Sequence, residues 1–431
     1  MVPYIKILNL ENNFERNYNT KFEKEIIDHI KTGNIIFAET LIRLNLDINP
    51  KSPQLLNLLG ILLASINLPH LSIKYFEEAL KEAPDWSEPN NNLIEIKNYL
   101  EGTSTKNLAK PKERFILVKA WGYGFFSDLN HVIGQLLVAE LTNRIPIILW
   151  GSNSIFKDKN MPNAFDLYFE SINSWQILDL KKEYTFWPPK WNFENIISTE
   201  EINKRNGLYS KISGIYFFGR DETVVVSDFY TGIVELLSYI PNDNLLYGLS
   251  VDDIFRYLLK KYIHPKSYIL EIIDNFIKKN SLSVNFIAVH ARGSDKVKEF
   301  EDLGQLNSMY QNTIDKFLLE NKCSKIFLMT DDIKLKDYFF KIYGDSLVTT
   351  DCKRTNNDKG VHYQADVNGK ELAIEVITDV YIAAKACAFI GNGASNPSCF
   401  VNYLKNWPKN RIEIFLNNNN NRQTQFFLHR P

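Results

Sequence analysis

The sequence predicts an α/β fold preceded by a small all-α segment, and three observations carry that expectation. From residue 114 onward, short apolar runs of strand character alternate with stretches of helical periodicity. Polar clusters follow several of those runs, most visibly at 286–297, F-I-A-V-H-A-R-G-S-D-K-V. Ahead of them, residues 19–105 match themselves at a spacing of 34, pairing Pro50 with Pro84, Ala38 with Ser72, Ile42 with Phe76 and Ile26 with Gly60. Polar residues at the carboxyl end of a strand matter because ligands of open α/β sheets bind in the crevice outside those ends. Arg292 has the planar fork that clamps a phosphate, and Gly293 and Ser294 are small enough to let a ligand approach. On these residues alone the cluster reads equally as a ligand site or as a surface loop closed by a salt bridge.

A chain of 431 residues exceeds one ordinary domain and suggests two or three. At 45% hydrophobic and 13% aromatic it can bury a core in each. Fifty basic against 51 acidic residues leave no global field to draw nucleic acid or an anionic membrane. Cys323, Cys352, Cys387 and Cys399 lack C-x-x-C spacing, which argues for reduced, mostly buried thiols rather than a zinc site or a disulfide scaffold. The first residues do not combine a basic segment with a long apolar one, and no stretch has the length of a membrane span. A cytoplasmic protein is the expectation.

Taken in order, residues 1–18 form a tail. The period of 34 in 19–105, with a proline near the end of each unit, resembles tetratricopeptide repeats. In the unit 53–86, Leu56, Leu59, Gly60 and Leu63 belong to one helix and Ser72, Phe76 and Ala79 to the next, the small residues at 60 and 72 allowing close approach. A third helix at 87–101 caps the stack. Two units and a cap are near the lower limit for independent stability, so the array is expected to dock on the rest of the chain. It reads as a surface for a protein partner or self-association, or as a helical brace. Residues 106–113 are a linker.

A strand at 115–118, the turn A-W-G-Y-G, a helix through Leu136, Leu137 and Leu141 and a strand at 145–150 compose a βαβ unit. Residues 151–215 are aromatic and irregular. A strand at 224–226 and helices at 253–262 and 268–280 complete one lobe, 114–280. The second, 281–431, alternates strands at 286–289, 325–329, 347–349 and 387–390 with helices at 306–319, 333–343 and 369–386, and G-N-G-A-S-N-P-S opens a last helix. The lone G-x-G lacks the third glycine of a dinucleotide fingerprint.

Together these motifs resemble the α1,6-fucosyltransferase family. That family's V-H-V-R-R-T-D-K-V appears as V-H-A-R-G-S-D-K-V at 289–297, and its A-T-D-D as Met329, Thr330, Asp331 and Asp332. Ile377, Thr378 and Asp379 precede a strand and the small-residue turn ending at Ser395. Gly122, Tyr123 and Gly124 stand before a helix that holds His131, and the terminal F-F-L-H-R-P is similar. The resemblance covers about residues 114–431 and leaves the helical repeats outside it.

It implies two Rossmann-like lobes of GT-B type, the first facing the acceptor and the second binding a GDP-sugar. Arg292 would bind the β-phosphate and neutralise the leaving group, and His290 and Asp379 would contact guanine. Ser395 and neighbouring backbone N–H groups would hold phosphate oxygens. Gly122 and Gly124 would admit the donor, and Asp295, Lys296, Tyr310, Asp331 and Asp332 would shape the sugar pocket. The family works without a metal, so no cofactor is expected beyond GDP-fucose as donor substrate. Two departures stand out: Gly293 replaces the family's second arginine, and Phe300 replaces an acidic residue, leaving the flanking Glu299 and Glu301 as general-base candidates. On residue type alone, Asp331 and Asp332 fit helix caps equally well, and His131 fits a satisfied interior histidine. The implied activity is inverting transfer of fucose to a glycan or protein-linked hydroxyl. Transfer of another GDP-sugar, or an inactive scaffold using the repeats, are the alternatives.

Overall fold

The computed structural model describes residues 20–66, 68–104, 113–158, 161–200, 202, 214–282, 285–293, 303–355, 361 and 368–415. The proposed tail, most of the linker, the terminal F-F-L-H-R-P and the segment holding Asp295, Lys296, Glu299 and Glu301 lie outside them.

The chain begins with α1 (Lys21–Lys31), α2 (Ile35–Ile48), α3 (Pro53–Ser65), α4 (Pro69–Glu82) and α5 (Ser87–Ser104). Local chemistry sets their starts. Thr20 and Glu23 form a reciprocal capping box on α1, and Ser52 accepts from the Leu55 N–H with Pro53 at the first helical position of α3. A Cβ at Gly60 would lie 2.5 Å from the Phe76 ring, so the glycine lets α3 and α4 close as the sequence suggested. The array docks through a buried polar contact. The Arg43 guanidinium meets Glu39 at 2.8 Å and lies 5.2 Å from the Tyr239 ring, whose hydroxyl donates to the same carboxylate. Its apolar residues join one continuous core with those of the α/β region.

Two parallel sheets follow. The first is built from β1 (Phe115–Lys119), α6 (Phe125–Thr142), β2 (Ile145–Leu149), β3 (Phe186–Trp187), β4 (Val224–Ser227), α7 (Ile233–Leu236), α8 (Val251–Tyr262) and α9 (Ser267–Lys279), with strand order β2-β1-β4-β3. The second holds β5 (Phe286–His290), α10 (Leu303–Asn321), β6 (Lys325–Met329), α11 (Ile333–Tyr343), β7 (Leu347–Val348), α12 (Gly369–Ala384), β8 (Ala388–Asn392), α13 (Asn396–Leu404) and β9 (Ile412–Phe415), in the order β7-β6-β5-β8-β9. Every named strand pair is parallel. Strands covered on both faces read as unbroken apolar runs rather than alternating ones, hence F-I-L-V and F-I-A-V.

The halves meet over α13, which packs its Phe400 against Phe126 of α6 at 4.7 Å and its Tyr403 against Phe255 of α8 at 4.1 Å. A second junction joins the start of α12 to the loop after β2. Lys370 pairs with Asp158 at 3.0 Å, and the Ile155 carbonyl comes so close that any Cβ at Gly369 would overlap it. Among the described residues no helix is long and apolar enough to cross a membrane.

Candidate active site

Strand order decides where a ligand fits. The chain leaves β5 for β6 and β7 on one side and returns through β8 and β9 on the other. The crevice between the β5 and β8 carboxyl ends is therefore left open, the position where open α/β sheets take their ligands. A cavity of about 420 Å³ lies there. His290 enters it from the end of β5 and Arg292 just after it, Thr330 and Asp331 after β6, Cys352 and Lys353 after β7, and Asp379 from α12. Ser395, Asn396 and Pro397 at the start of α13 and Tyr123 through Ser127 at the start of α6 complete its wall.

Two helices from different halves thus begin at one cavity. The first turn of each carries the positive end of its helix dipole; the Ser127 N–H already bonds the Gly124 carbonyl and Pro397 has no N–H, which leaves Phe125 and Phe126 of α6 and Asn396 and Ser398 of α13 to supply N–H groups. Neither start is closed by a side-chain cap: Gly124 has no side chain to offer, and Ser395 makes no capping bond. Ser250 caps α8 and Asn368 caps α12 by side-chain oxygens, whereas α2, α4, α7 and α9 also start without a side-chain cap. Together with Arg292 the α6 and α13 starts place positive charge and dipole at one wall of the cavity, an arrangement that suits an anion.

Arg292 is held in place. Its Nη1 lies 2.7 Å from Asp331 Oδ2, and Asp331 Oδ1 accepts from the Gly293 N–H at 3.2 Å. One carboxylate therefore fixes both the guanidinium and the backbone that carries it. His290 is fixed equally firmly. Its Nδ1 is 2.7 Å from Ser398 Oγ, which already accepts from the Asn392 N–H at 2.9 Å. The serine hydroxyl keeps both a hydrogen and a second lone pair, so it holds the Nδ1 edge of the ring in either neutral tautomer. Burial, and then the charge of Arg292, push the His290 pKa down to about 3, which keeps the ring neutral.

Asp379 brings a different chemistry to the same cavity. Burial raises its pKa to about 7, while the Thr350 hydroxyl, donating to Oδ1 at 2.6 Å, favours the ionised form. Thr350 is itself held by Arg354, whose guanidinium donates to the Thr350 carbonyl at 2.9 Å and the Cys352 carbonyl at 3.0 Å. A buried carboxylate with acceptor capacity aimed into a partly apolar cavity suits a ligand that presents N–H donors.

The remaining residues singled out in the sequence fall into three groups. Gly124 and Ser395 line the cavity. Gly122, Tyr310 and Asp332 do not: Gly122 makes the turn at φ +83° against the Asn153 carbonyl, Tyr310 is fully buried behind β5 and donates to the His290 carbonyl at 2.8 Å, and Asp332 caps α11 by accepting from the Leu335 N–H at 3.1 Å. Asp295, Lys296, Glu299 and Glu301 belong to the segment outside the described residues. His131 is buried and stacks on Trp121 with ring centroids 5.6 Å apart.

Two features escaped the sequence reading. Asp128, fully buried, accepts from the Gly122 and Tyr123 N–H groups at 3.2 and 3.3 Å and so holds the turn that leads into α6. Burial pushes its carboxyl up to about 7 against those same hydrogen bonds. An aspartate four residues after a G-x-G turn was the signal for it. Thr350 and Arg354 gave none, since they sit in an irregular loop distant in sequence from Asp379.

Gly293 is tied to Asp332 by space. A Cβ there would lie 2.5 Å from Asp332 Oδ2 and 2.6 Å from its Cβ, so any side chain must displace a helix cap. Gly293→Ala is expected to destabilise the protein by about 0.5–2 kcal/mol, the usual worth of an N-cap. In an Asp332→Gly background most of that penalty should disappear, a coupling that urea titration of the single and double variants measures.

No protein-family model matches the sequence, and no curated protein matches it either. Several solved structures do. A NodZ alpha-1,6-fucosyltransferase soaked with GDP-fucose is 16% identical over 68% of this chain and 93% of its own, with a TM-score of 0.45. POFUT1 in complex with GDP is 17% identical over 71% of this chain and 99% of its own, with a TM-score of 0.39. An Arabidopsis thaliana FUT1 variant in complex with GDP is 12% identical over 81% of this chain and 80% of its own, with a TM-score of 0.41.

Proposed function

We propose that the protein is an inverting glycosyltransferase of GT-B type that uses a GDP-sugar, with GDP-fucose the leading donor. The observation that carries this reading is the convergence of two uncapped helix starts and Arg292 on the cavity that also holds the buried Asp379. A nucleoside diphosphate needs both parts: positive dipoles for its phosphates and a matched hydrogen-bonding group for its base. Guanine offers N1–H and N2–H donors to a carboxylate, whereas uracil offers a single N–H, so Asp379 supports GDP over UDP.

In the proposed reaction the acceptor hydroxyl oxygen bonds to the anomeric carbon as the bond from that carbon to the β-phosphate oxygen breaks. GDP departs with the electron pair, the configuration inverts, and the hydroxyl proton passes to a base, for which Glu299 and Glu301 are the candidates. Arg292 and the starts of α6 and α13 meet the charge that grows on the departing diphosphate, and the scheme calls for no metal. The neutral His290 ring, fixed by Ser398, lines the same wall.

Gly293 favours a second donor reading. With no space for a side chain there, the cavity lacks a contact expected from the resemblance, and another GDP-linked sugar fits as well as fucose. Calorimetry with GDP and UDP, followed by release of the nucleoside diphosphate from GDP-fucose, GDP-mannose and UDP-galactose, tests both readings. Preference for GDP by at least about tenfold and turnover of one GDP-sugar are expected. Equal binding of UDP would overturn the nucleotide assignment. A GDP-induced rise in melting temperature without turnover of any donor would favour a binding protein.

A further inference from the structure

Two of the four cysteines meet at the edge of the second sheet remote from the cavity. Cys323 lies between α10 and β6, and Cys387 between α12 and β8, so each closes a helix-to-strand turn at the amino ends of the two strands that flank β5. Their sulfurs are 2.8 Å apart. Backbone bonds hold both turns. The Cys323 N–H donates to the Leu318 carbonyl at 3.0 Å, after Lys322 takes the left-handed conformation at φ 51°, and the Cys387 N–H donates to the Phe286 carbonyl at 2.9 Å. Both side chains are free thiols, half-buried against the apolar core of that sheet, so a small reagent reaches them. The other two cysteines turn to the backbone instead, Cys352 to the Thr330 carbonyl at 4.0 Å and Cys399 to the Gly393 carbonyl at 3.6 Å.

We propose that Cys323 and Cys387 are a disulfide-forming pair whose bond staples the segment carrying one side of the cavity. Closing it asks little of the fold. A disulfide places its sulfurs about 2.05 Å apart, so the facing thiols need to approach by under about 1 Å. Two cations stand beside them: the Lys405 ammonium attracts the Cys387 thiolate and the Arg411 guanidinium that of Cys323. Burial and the neighbouring Cys387 push the Cys323 thiol up, so the first attack falls to Cys387. With glutathione disulfide as oxidant, the Cys387 thiolate bonds to one of its sulfurs and the other glutathione leaves as a thiolate. Cys323, giving up its proton, then attacks the Cys387 sulfur of the mixed disulfide, and the second glutathione leaves. Two protein thiols lose two electrons and two protons, and the oxidant is reduced to two thiols. The bond joins positions 64 residues apart. Thr330, Asp331, Cys352, Lys353, Glu375 and Asp379 of the cavity lie between them, so the cross-link restricts the unfolded chain in the segment that builds that side. It acts on stability and not on chemistry, because the pair stands at the amino ends of the strands and the cavity at their carboxyl ends.

Incubating the full chain with reduced or oxidised glutathione, alkylating the remaining thiols and mapping the peptides by mass spectrometry without reduction tests this. The oxidised sample should yield one linked Cys323–Cys387 peptide pair, with alkylation confined to Cys352 and Cys399. Its melting temperature should stand about 5–10 °C above that of the reduced sample, as expected for a native disulfide in a chain of this size, and dithiothreitol should reverse both changes. Cys323→Ser and Cys387→Ser should each lose the cross-link and the shift, and where one of them fails to fold the other carries the comparison. Alkylation of all four thiols after oxidation, glutathione retained on either cysteine of the unmodified protein, or a cross-link that leaves the melting temperature unmoved overturns the proposal. None of these readouts uses the nucleotide, so the outcome is independent of the donor reading.

Discussion

Arg292→Lys is expected to lower kcat for transfer from GDP-fucose by about 10²–10³-fold, the usual cost of removing a positioned donor from a developing negative charge. Lysine keeps the charge and loses the fork, so the deficit reports geometry and not field. Arg292→Ala should abolish transfer. Because Arg292 pairs with Asp331 at 2.7 Å, truncation also removes that ion pair, and the lysine variant guards against misreading a folding defect as a catalytic one. Steady-state kinetics with melting temperatures on both variants check the expectation. Near-normal turnover in Arg292→Ala would end the assignment of the phosphate role.

The affinity for GDP-fucose should depend on pH through Asp379. Burial places its pKa at about 7 in the free protein, so below that pH the carboxyl is increasingly protonated. Guanine donors favour the carboxylate, so binding expels a proton and the pKa falls in the complex. Affinity is then full above pH 7 and declines as pH falls through it, by up to about tenfold per unit. Stability runs the same linkage in the other direction. A carboxyl raised in the folded state is favoured when protonated, so the contribution of Asp379 to stability diminishes as pH climbs from its ordinary value of 3.8 toward 7. Asp379→Asn should flatten the pH dependence of binding and weaken it at pH 8 by roughly 10–100-fold, the worth of a charge-assisted hydrogen bond. Calorimetry between pH 5.5 and 8.5 measures this, with GDP-fucose as ligand because its doubly esterified diphosphate does not titrate in that range. A steep pH dependence retained in the asparagine variant would assign the titration elsewhere.

The two expectations differ in how much of their basis is legible in the sequence. Arg292 follows a buried strand and stands beside a glycine, which is enough to put it at the carboxyl edge of a sheet. Asp379 lies in the middle of a helical pattern, where an aspartate fits a solvated face equally well. Only the fold turns it into a cavity and sets Thr350 and Arg354 around it, and no periodic signal links position 350 to 379. Asp332 presents the converse case: the sequence offers a pocket role and a cap, and the position of α11 selects the cap. Tyr310 is similar, since its helix lies behind β5 and its hydroxyl reaches the His290 carbonyl rather than the cavity.

Within the second half, the strands at 286–290 and 325–329 and the helix at 333–343 are readable almost residue by residue, while β9 and the two-residue β3 carry too little apolar pattern to be seen. The sequence alone determined most of the strands and helices, their α/β alternation, and which polar residues follow the strands. Those properties depend on side-chain periodicity within one segment, which is local. Only the tertiary structure decided the order of the strands, and with it the crevice between β5 and β8, the meeting of the α6 and α13 starts at one cavity, and the pairing of Gly293 with Asp332. These depend on which distant segments pack together, and burial rewards that choice without leaving any repeating pattern along the chain.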